Sequence, residues 1–254
     1  MKDAPPPAYG HLVAAFNRLA PRYDAGDGPG GNEIMRWMRR ENLALLQAAF
    51  PPGSRLLEIG CGSGEEALHL ARAGYTIVAT DLSPAMAAQT AARARAGGLA
   101  ERVTALVVPA AHLAALHPPA PFDGAYASFG SLNCEPDLPC LAAALAGLLR
   151  PGAAFVCSVM GRWCPFELLW FLLHGQPRPA FRRLRPGWQL APLVEGVTVP
   201  VRYFSAQDIA AVFAPTFTLE RTLALPLLLP PPYLAGLYRR YQALFAYLEK
   251  WEKR

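Results

Sequence analysis

Short apolar runs alternate with amphipathic stretches along the middle of this chain. The runs are rich in branched and aromatic side chains and lie at residues 55–60, 76–81, 103–108, 122–129 and 153–160. Runs of this length are typical of buried strands. Helical periodicity fills three of the intervals, at about residues 64–73, 84–97 and 136–149. The pattern predicts βαβ units, and therefore a doubly wound, mostly parallel sheet with both faces covered.

The segments before and after this alternation have different sequence patterns. Before it we expect N-terminal helices within residues 1–50, at about 11–24 and 33–50, joined by a glycine-rich loop at 26–31. After it, residues 161–200 form an insert rich in aromatic residues, arginine and proline. Residues 1–254 are therefore expected to form one domain that carries an insert.

The C-terminal part predicts two strands and two helices. Strands are expected at residues 197–204 and 217–225, from their alternating apolar side chains. Ser205 is expected to cap a helix that runs to Phe213, with Asp208 completing a capping box. Apolar residues at helical spacing predict a C-terminal helix over residues 233–254.

Composition narrows the class of protein. Apolar residues make up 53% of the chain and charged residues 17%, with a net charge of +5, which suits a packed globular domain. No signal-peptide pattern opens the sequence, and prolines interrupt the most apolar stretch, at 223–237. Five cysteines form no CxxC pair. These features predict a cytoplasmic protein with reduced thiols and no metal site.

A glycine cluster at the end of the first expected strand is the main candidate for a binding site. Gly60, Gly62 and Gly64 stand where that strand turns into its helix. Glycine there permits a tight turn and close approach of a ligand to the backbone, and the helix start favours an anion. The pyrophosphate of a dinucleotide fits such a turn, and so does the methionine end of S-adenosylmethionine.

The spacing favours the second ligand. The turn reads GxGxG and is followed by Glu65, whereas a dinucleotide fingerprint has its third glycine at that position. Asp81 ends the second strand, where a carboxylate accepts hydrogen bonds from ribose hydroxyls in either ligand class. Glu58 lies inside the first strand, so its carboxylate needs partners.

At these residues the sequence resembles class I S-adenosylmethionine-dependent methyltransferases. The resemblance covers roughly residues 10–160 and rests on residues 58–64, 81–86, 122–130 and 148–152. It implies a Rossmann-like, seven-stranded sheet in the order 3-2-1-4-5-7-6 and S-adenosyl-L-methionine as the cofactor. It also implies that Asp81 holds the ribose, that Leu82 and Met86 flank the adenine, and that Tyr23 covers the methionine end. The residues expected to bind the cofactor are Tyr23, Glu58, Gly60, Cys61, Gly62, Asp81, Leu82, Met86, Ala111 and Ser128.

One position departs from that family. Its members often carry an acid after the third strand that accepts from the adenine amino group, and Ala110 stands there in this sequence. The adenine must then be held by the backbone around Ala111, by His112, or less tightly. We therefore expect a weaker affinity for the cofactor.

The acceptor of the methyl group is expected near the insert. The sequence predicts a lid over a small, largely apolar acceptor, such as a natural product, a quinone or a lipid-like metabolite. Trp163, Phe166 and Trp170 are the candidate lid residues, and Asn133 could orient the acceptor or cap a helix. His174 is the candidate general base, because it is the one histidine of the insert. The aromatic residues could instead pack the insert onto the core.

Other functions stay open from the sequence alone. A nucleic-acid or protein methyltransferase could use the arginines of residues 178–185 on phosphate, although no nucleic-acid module appears. A non-catalytic binder of the same fold and an NAD-dependent enzyme are further alternatives. We expect a small-molecule partner, no nucleic acid, and a monomer or homodimer. Membrane contact through the C-terminal part is a weaker alternative.

Overall fold

A parallel β-sheet lies at the centre of the structure, a computed structural model that describes residues 6–23, 32–194 and 197–252. Its strands are β1 (Arg55–Ile59), β2 (Thr76–Asp81), β3 (Val103–Val107), β4 (Phe122–Ala127) and β5 (Leu149–Cys157). They are ordered β3-β2-β1-β4-β5, and every neighbouring pair is parallel. The order reverses between β1 and β4, and doubly wound folds bind ligands beside such a point.

Helices cover both faces of the sheet, as the sequence predicts. One apolar layer is supplied by α2 (Glu33–Ala49), α3 (Glu65–Arg72) and α4 (Pro84–Ala96). The opposite layer is supplied by α5 (Leu138–Leu148) and α8 (Ala206–Phe213). Side chains alternate between the layers along β1: Leu57 and Ile59 face α5, whereas Leu56 faces α2 and α3. Burial of the two faces holds the strand ends in a fixed relation.

The N-terminal helix α1 (Tyr9–Leu19) crosses the carboxyl edge of the sheet. Asn17 Oδ1 accepts from the Ser83 hydroxyl at 2.7 Å and from the Ala85 amide at 3.2 Å, at the start of α4. A short 3-10 turn, Ala20–Arg22, follows α1. The predicted glycine-rich loop at 26–31 lies outside the described residues.

The seven-stranded sheet is wrong for the described residues, because five strands form the parallel sheet. Strands β6 (Gln189–Val194) and β7 (Val197–Val201) pair with each other as a separate antiparallel ladder. The strand expected at 217–225 is irregular. Phe217 packs on Phe155 and Phe213, but Leu219 and Leu223 stay exposed, so the alternating pattern finds no second surface to cover it.

The insert and the C-terminal part add helices beside the sheet. The insert contains α6 (Pro165–Leu173) and the single turn α7 (Pro177–Ala180), and the expected C-terminal helix is broken into α9 (Ala235–Arg240) and α10 (Gln242–Glu252). Phe245 of α10 packs with Trp37 of α2 and Phe166 of α6 in one apolar cluster. The capping box at Ser205 and Asp208 is confirmed. No helix among the described residues is long and apolar enough to cross a bilayer.

Candidate cofactor site

The glycine turn between β1 and α3 is a tight loop in which three glycines adopt positive φ values. Gly60, Gly62 and Gly64 have φ values of +72°, +53° and +83°. The amides of Gly60 and Cys61 both donate to the carbonyl of Thr80 on β2, at 2.8 and 2.9 Å. A Cβ on Gly60 would lie 2.4 Å from the Cβ of Ser131. The turn is therefore compressed against the loop that follows β4.

Asp81 joins this turn to the end of β2. Its Oδ2 accepts from the amide of Gly62 at 2.9 Å, and its Oδ1 accepts from the amide of Ser83 at 2.8 Å. Burial raises the pKa of the Asp81 carboxyl, and these backbone hydrogen bonds oppose the rise. Each carboxylate oxygen keeps a second lone pair, which is the acceptor capacity that a ribose diol needs.

Helix α4 supports the turn from beneath, through residues that the sequence analysis did not single out. The hydroxyl of Thr90 donates to the carbonyl of Gly62 at 2.9 Å, and the guanidinium of Arg93 donates to the carbonyl of Ser63 at 3.0 Å. Arg93 also pairs with Glu65. Thr90 and Arg93 lie three residues apart, hence on one face of the helix, but nothing in that spacing indicates which loop they meet.

Tyr23 lies over the turn from the N-terminal side. Its ring carbon Cε1 would lie 3.2 Å from a Cβ placed on Gly62, and the side chain is 39% exposed. The structure thus brings Tyr23 to the turn at which the sequence places the methionine end of the cofactor. That role stays a prediction.

Glu58 is a buried carboxylate below the turn. It is 2% exposed, and its Oε2 makes no hydrogen bond of normal geometry with any described residue. Burial is the main cause that raises the pKa of Glu58 well above its ordinary value, with the nearby Glu66 as a second cause. Glu66 is itself paired with Arg39 at 2.8 Å. The buried Tyr126 hydroxyl interacts with the Glu58 carboxyl and partly opposes this rise in pKa, and contact of Glu58 with the cofactor stays a prediction.

The side chains that follow β2 are largely covered. Met86 is 1% exposed and is packed beneath Leu19 and Ala20. Leu82 packs against the cluster formed by α1 and β7. Contact of either residue with an adenine stays a prediction, and for Met86 it requires the Ala20–Arg22 turn to move.

The 3-10 turn Ala110–Ala115 follows β3 and carries Ala111, the backbone candidate for the adenine. The ring of Tyr9 on α1 lies 5.6 Å from the ring of His112, centroid to centroid. The Tyr9 hydroxyl donates to Oε1 of Glu135, a side chain that is 5% exposed. Neither Tyr9 nor Glu135 was singled out in the sequence, because both stand outside the motif segments.

The loop after β4 places Ser128 and Phe129 at the same edge. The Ser128 hydroxyl accepts from Nδ2 of Asn42 at 3.0 Å. Phe129 has a φ of +52°, which is uncommon for a bulky residue, and its amide donates to the Ser158 hydroxyl at 2.7 Å. The guanidinium of Arg39 lies 5.7 Å from the Phe129 ring. Phe129 is partly exposed in this loop after β4, and it is therefore a candidate for contact with the acceptor.

Asn133 does not orient an acceptor, and it does not cap a helix. It is fully buried, and its Nδ2 donates to the carbonyls of Met160 at 3.0 Å and Arg202 at 2.5 Å. Its Oδ1 accepts from the amide of Met160 at 2.8 Å. The cap of α5 is Asp137. Both predictions for Asn133 are wrong, because both of its donors and its acceptor are engaged with backbone.

The candidate lid residues do not surround one cavity. Trp163 is 69% exposed, and Phe166 stacks on Trp170 with its other side against Phe245 of α10. The prediction of a lid built from these three aromatic residues is therefore corrected: Phe166 packs the insert onto the C-terminal part of the chain. This is the packing alternative that the sequence left open.

His174 is an unsuitable general base in this structure. It is exposed at the C-terminal end of α6, its Nδ1 lies 2.8 Å from the carbonyl of Trp170, and its ring packs on the indole of the same residue. The prediction for His174 is corrected, since a general base must reach the reacting group. All five histidines of the chain are exposed.

The arginines of the insert are partly engaged within it. Glu167, 1% exposed, pairs with Arg182 at 3.1 Å and with Arg183 at 2.6 Å. Arg162 pairs with Asp208 at 3.4 Å. The described residues contain no cluster that could hold a metal ion, and all five cysteines are free.

Comparisons with known proteins agree with this geometry. Residues 56–152 match a family model described as a methyltransferase domain. The nocamycin O-methyltransferase of Saccharothrix syringae is 38% identical over 187 residues, which cover 72% of this chain and 56% of that protein. The 2-phytyl-1,4-naphtoquinone methyltransferase of Synechococcus elongatus is 32% identical over 144 residues, 54% of this chain and 58% of that protein.

A solved structure shows the same fold. It is the 1,6-didemethyltoxoflavin-N1-methyltransferase of Burkholderia thailandensis, with bound 1,6-didemethyltoxoflavin and S-adenosylhomocysteine. Its identity is 23% and its TM-score 0.56, over 89% of this chain and 87% of that one. These comparisons support the family that the sequence motifs predict, the class I S-adenosylmethionine-dependent methyltransferases. The chain spans less than two thirds of the length of the two curated relatives named above.

Proposed function

We propose that this protein transfers a methyl group from S-adenosylmethionine to a small, largely apolar metabolite. The observation that carries the proposal is the glycine turn held by Asp81, with Gly62 as its point of contact. The turn offers close backbone approach, Asp81 offers acceptors for a ribose, and the buried Glu58 below offers a carboxyl group. Together these three features fit a cofactor with a ribose and an amino acid end better than a pyrophosphate.

The chain's own residues would act mainly by positioning. S-adenosylmethionine supplies an activated methyl group when it is bound. The roles we assign are that Asp81 fixes the ribose, that Gly60 and Gly62 line the methionine end, and that Tyr23 excludes water above it. Holding two reactants in line lowers the barrier without a protein nucleophile. Since every histidine is exposed, the proposal includes no histidine base.

The loop after β4, which carries Phe129, is our candidate for contact with the acceptor. Phe129 is held in a left-handed conformation by Ser158, and Arg39 stands beside its ring. An aromatic face next to a guanidinium suits a flat apolar ring that bears a polar oxygen. Quinones, phenolic natural products and lipid-like metabolites are the acceptor classes that we propose. The names of the two curated relatives, a nocamycin and a naphthoquinone methyltransferase, support the same choice.

The alternative of a nucleic-acid methyltransferase has less support from the insert. Arg182 and Arg183 are committed to the buried Glu167, so only Arg178 and Arg185 of that arginine group are exposed. Two exposed arginines make a small patch for a phosphate backbone. We therefore propose a small-molecule acceptor and a biosynthetic role, together with a cytoplasmic location and a monomeric or homodimeric state.

Titration calorimetry with S-adenosylhomocysteine and with NAD tests the cofactor. We expect binding of S-adenosylhomocysteine, no binding of NAD, and a loss of affinity of about tenfold or more in Asp81→Asn, whose amide must turn one N–H toward a backbone donor. Glu101→Gln is the control, because it removes one negative charge, as Asp81→Asn does, from an exposed side chain. Binding of NAD alone, or an unchanged affinity in Asp81→Asn, would contradict the proposal.

The acceptor is tested with S-adenosylmethionine that carries a labelled methyl group. Panels of quinols, phenolic natural products, lipids and nucleic acids are incubated with the protein, and the labelled product is identified by mass spectrometry. We expect label in a small apolar product. Tight cofactor binding with no transfer to any panel would favour a non-catalytic binder, and label in nucleic acid would replace the acceptor that we propose.

A further inference from the structure

The topology fixes which side of the site would receive the purine. The methionine end is assigned to the glycine turn on β1, and the ribose to Asp81 on β2. A molecule laid across these two points continues toward the next strand of the sheet, which is β3. The segment that follows β3 at this edge is the Ala110–Ala115 turn. The purine would therefore face residues 110–112.

That segment provides no side-chain acceptor for an exocyclic amino group at its first two positions. Ala110 and Ala111 are alanines, and the His112 ring is occupied on one side by Tyr9. A different polar group comes to the same place from two distant parts of the chain. Tyr9 reaches it from α1, and Glu135 reaches it from the end of the Ser131–Cys134 turn.

The hydrogen bonds of Tyr9 set the polarity of its hydroxyl. The proton of the hydroxyl is donated to Oε1 of Glu135, which also accepts from the amide of Asp137 at 2.8 Å. With its one proton committed to a buried carboxylate, the phenol oxygen can only accept from any further partner. The Tyr9 side chain is partly exposed, so a partner can reach that oxygen.

Electrostatics keep the pair in this arrangement. Burial and the neighbouring Glu135 raise the pKa of the Tyr9 phenol, so the phenol stays protonated at neutral pH. Glu135 is 5% exposed and fixed by two donors, which holds its carboxylate in place.

We infer that Tyr9 recognises the 6-amino group of the cofactor's adenine as a hydrogen-bond acceptor, and that Glu135 is the positioning residue that imposes this polarity. The inference rests on the proposed function, since it concerns the same cofactor. The Tyr9 hydroxyl, which α1 supplies, would then select for an amino group. It would take the place of the acceptor side chain that is absent at position 110. A 6-oxo purine presents an acceptor at the same position. Its oxygen and the phenol oxygen would then be two acceptors with no proton between them, which is unfavourable.

Titration calorimetry with S-adenosylhomocysteine and S-inosylhomocysteine tests the inference. The two ligands differ in the group at the 6-position, amino or oxo, and in whether N1 carries a proton. The wild-type protein should prefer the adenosyl compound. Tyr9→Phe keeps the ring packing on His112 and removes the hydroxyl, and we expect it to lower the adenosyl affinity about fivefold with little change for the inosyl compound. Glu135→Gln lets an amide donate to the phenol oxygen, which frees the phenol proton, and should reduce the preference about tenfold.

The ratio of the two affinities separates recognition from a general structural effect. A variant that is merely destabilised weakens both ligands alike, and Glu101→Gln serves as the control for charge. If Glu135→Gln does not fold, Tyr9→Phe decides the question alone. An unchanged ratio in the folded variants, or tighter adenosyl binding in Tyr9→Phe, would overturn the inference while Asp81→Asn still supports the cofactor. Absence of S-adenosylhomocysteine binding in the wild-type protein would overturn both the proposed function and this inference.

Discussion

The amide of Gly62 donates to Oδ2 of Asp81 over 2.9 Å, across the gap between the ends of β1 and β2. The residue that would fix the ribose is therefore also the residue that fixes the turn at the methionine end. A single side chain thus couples the two halves of the proposed cofactor site. Changes in the turn should alter ribose binding as well, and this coupling underlies the first two predictions.

Gly60→Ala should destabilise the protein and weaken cofactor binding. The new Cβ would meet the Ser131 Cβ at 2.4 Å in addition to the cost of a φ of +72°. Gly53→Ala is the matched control, since Gly53 has a φ of +81° and open space around a Cβ. In urea unfolding we expect about 1 kcal/mol lost in the control and about 3 kcal/mol in Gly60→Ala. Equal losses in the two variants would show that the contact with Ser131 is unimportant.

Thr90→Val should loosen the turn from beneath while keeping the shape of α4. The substitution leaves the carbonyl of Gly62 without its 2.9 Å donor in a buried site. We expect a loss of about 1–2 kcal/mol in unfolding free energy and an affinity for S-adenosylhomocysteine lowered several-fold. Thr104→Val on β3, where the side chain is exposed, is the control. An unchanged affinity in Thr90→Val would mean that Asp81 alone holds the turn.

Glu58 should make stability depend on pH in a defined direction. Burial raises its pKa in the folded state, so between the ordinary and the raised pKa the folded protein keeps a proton that the unfolded chain has lost. The unfolding free energy therefore falls as pH rises through that window, by about 1.4 kcal/mol per pH unit for one such group. Glu58→Gln removes this contribution.

Chemical denaturation across a pH series measures the effect. Glu58→Gln should show a shallower decline than the wild-type protein, and it should be the more stable of the two at the alkaline end. Glu101→Gln, which changes an exposed carboxylate, should follow the wild-type curve. Parallel curves for Glu58→Gln and the wild type would show that Glu58 titrates normally.

Asn133→Ala should release the insert from the sheet. The change removes hydrogen bonds to both backbone groups of Met160 and to the carbonyl of Arg202, all contributed by a fully buried side chain. We expect about 3 kcal/mol or more lost in unfolding free energy and faster proteolysis within the insert, residues 161–200. His174→Ala, in the same insert but exposed, should stay within about 0.5 kcal/mol of wild type. A small effect of Asn133→Ala would show that other contacts hold the insert.

The sequence predicts the part of the fold that repeats local patterns. The apolar runs give β1 to β5, the glycines and Asp81 give the turn at the sheet edge, and Ser205 with Asp208 gives the cap of α8. Each of these depends on periodicity or on residues close together in the chain. Resemblance to a family adds the identity of the cofactor, because a motif set carries more information than one glycine turn.

The remaining features depend on contacts between distant segments. Tyr9 and Glu135 stand 126 residues apart, and no local pattern pairs them. Asn133 looks like a helix cap or a substrate ligand until the positions of Met160 and Arg202 are known. The strand expected at 217–225 has the right alternation, but a strand also needs a neighbour, which a sequence pattern does not supply.

The hydrogen bonds of Asn133 to Met160 and Arg202 bear on how relatives with this fold can differ in the insert. Met160 and Arg202, which bracket the insert, are both bonded to that one residue, so the inserted segment leaves the sheet and returns to it at a single point. A segment with adjoining ends can be exchanged as a unit, because its length and contents do not alter the distance that its ends must span. Grafting residues 161–200 between relatives should therefore leave the parallel sheet and the cofactor half of the molecule intact.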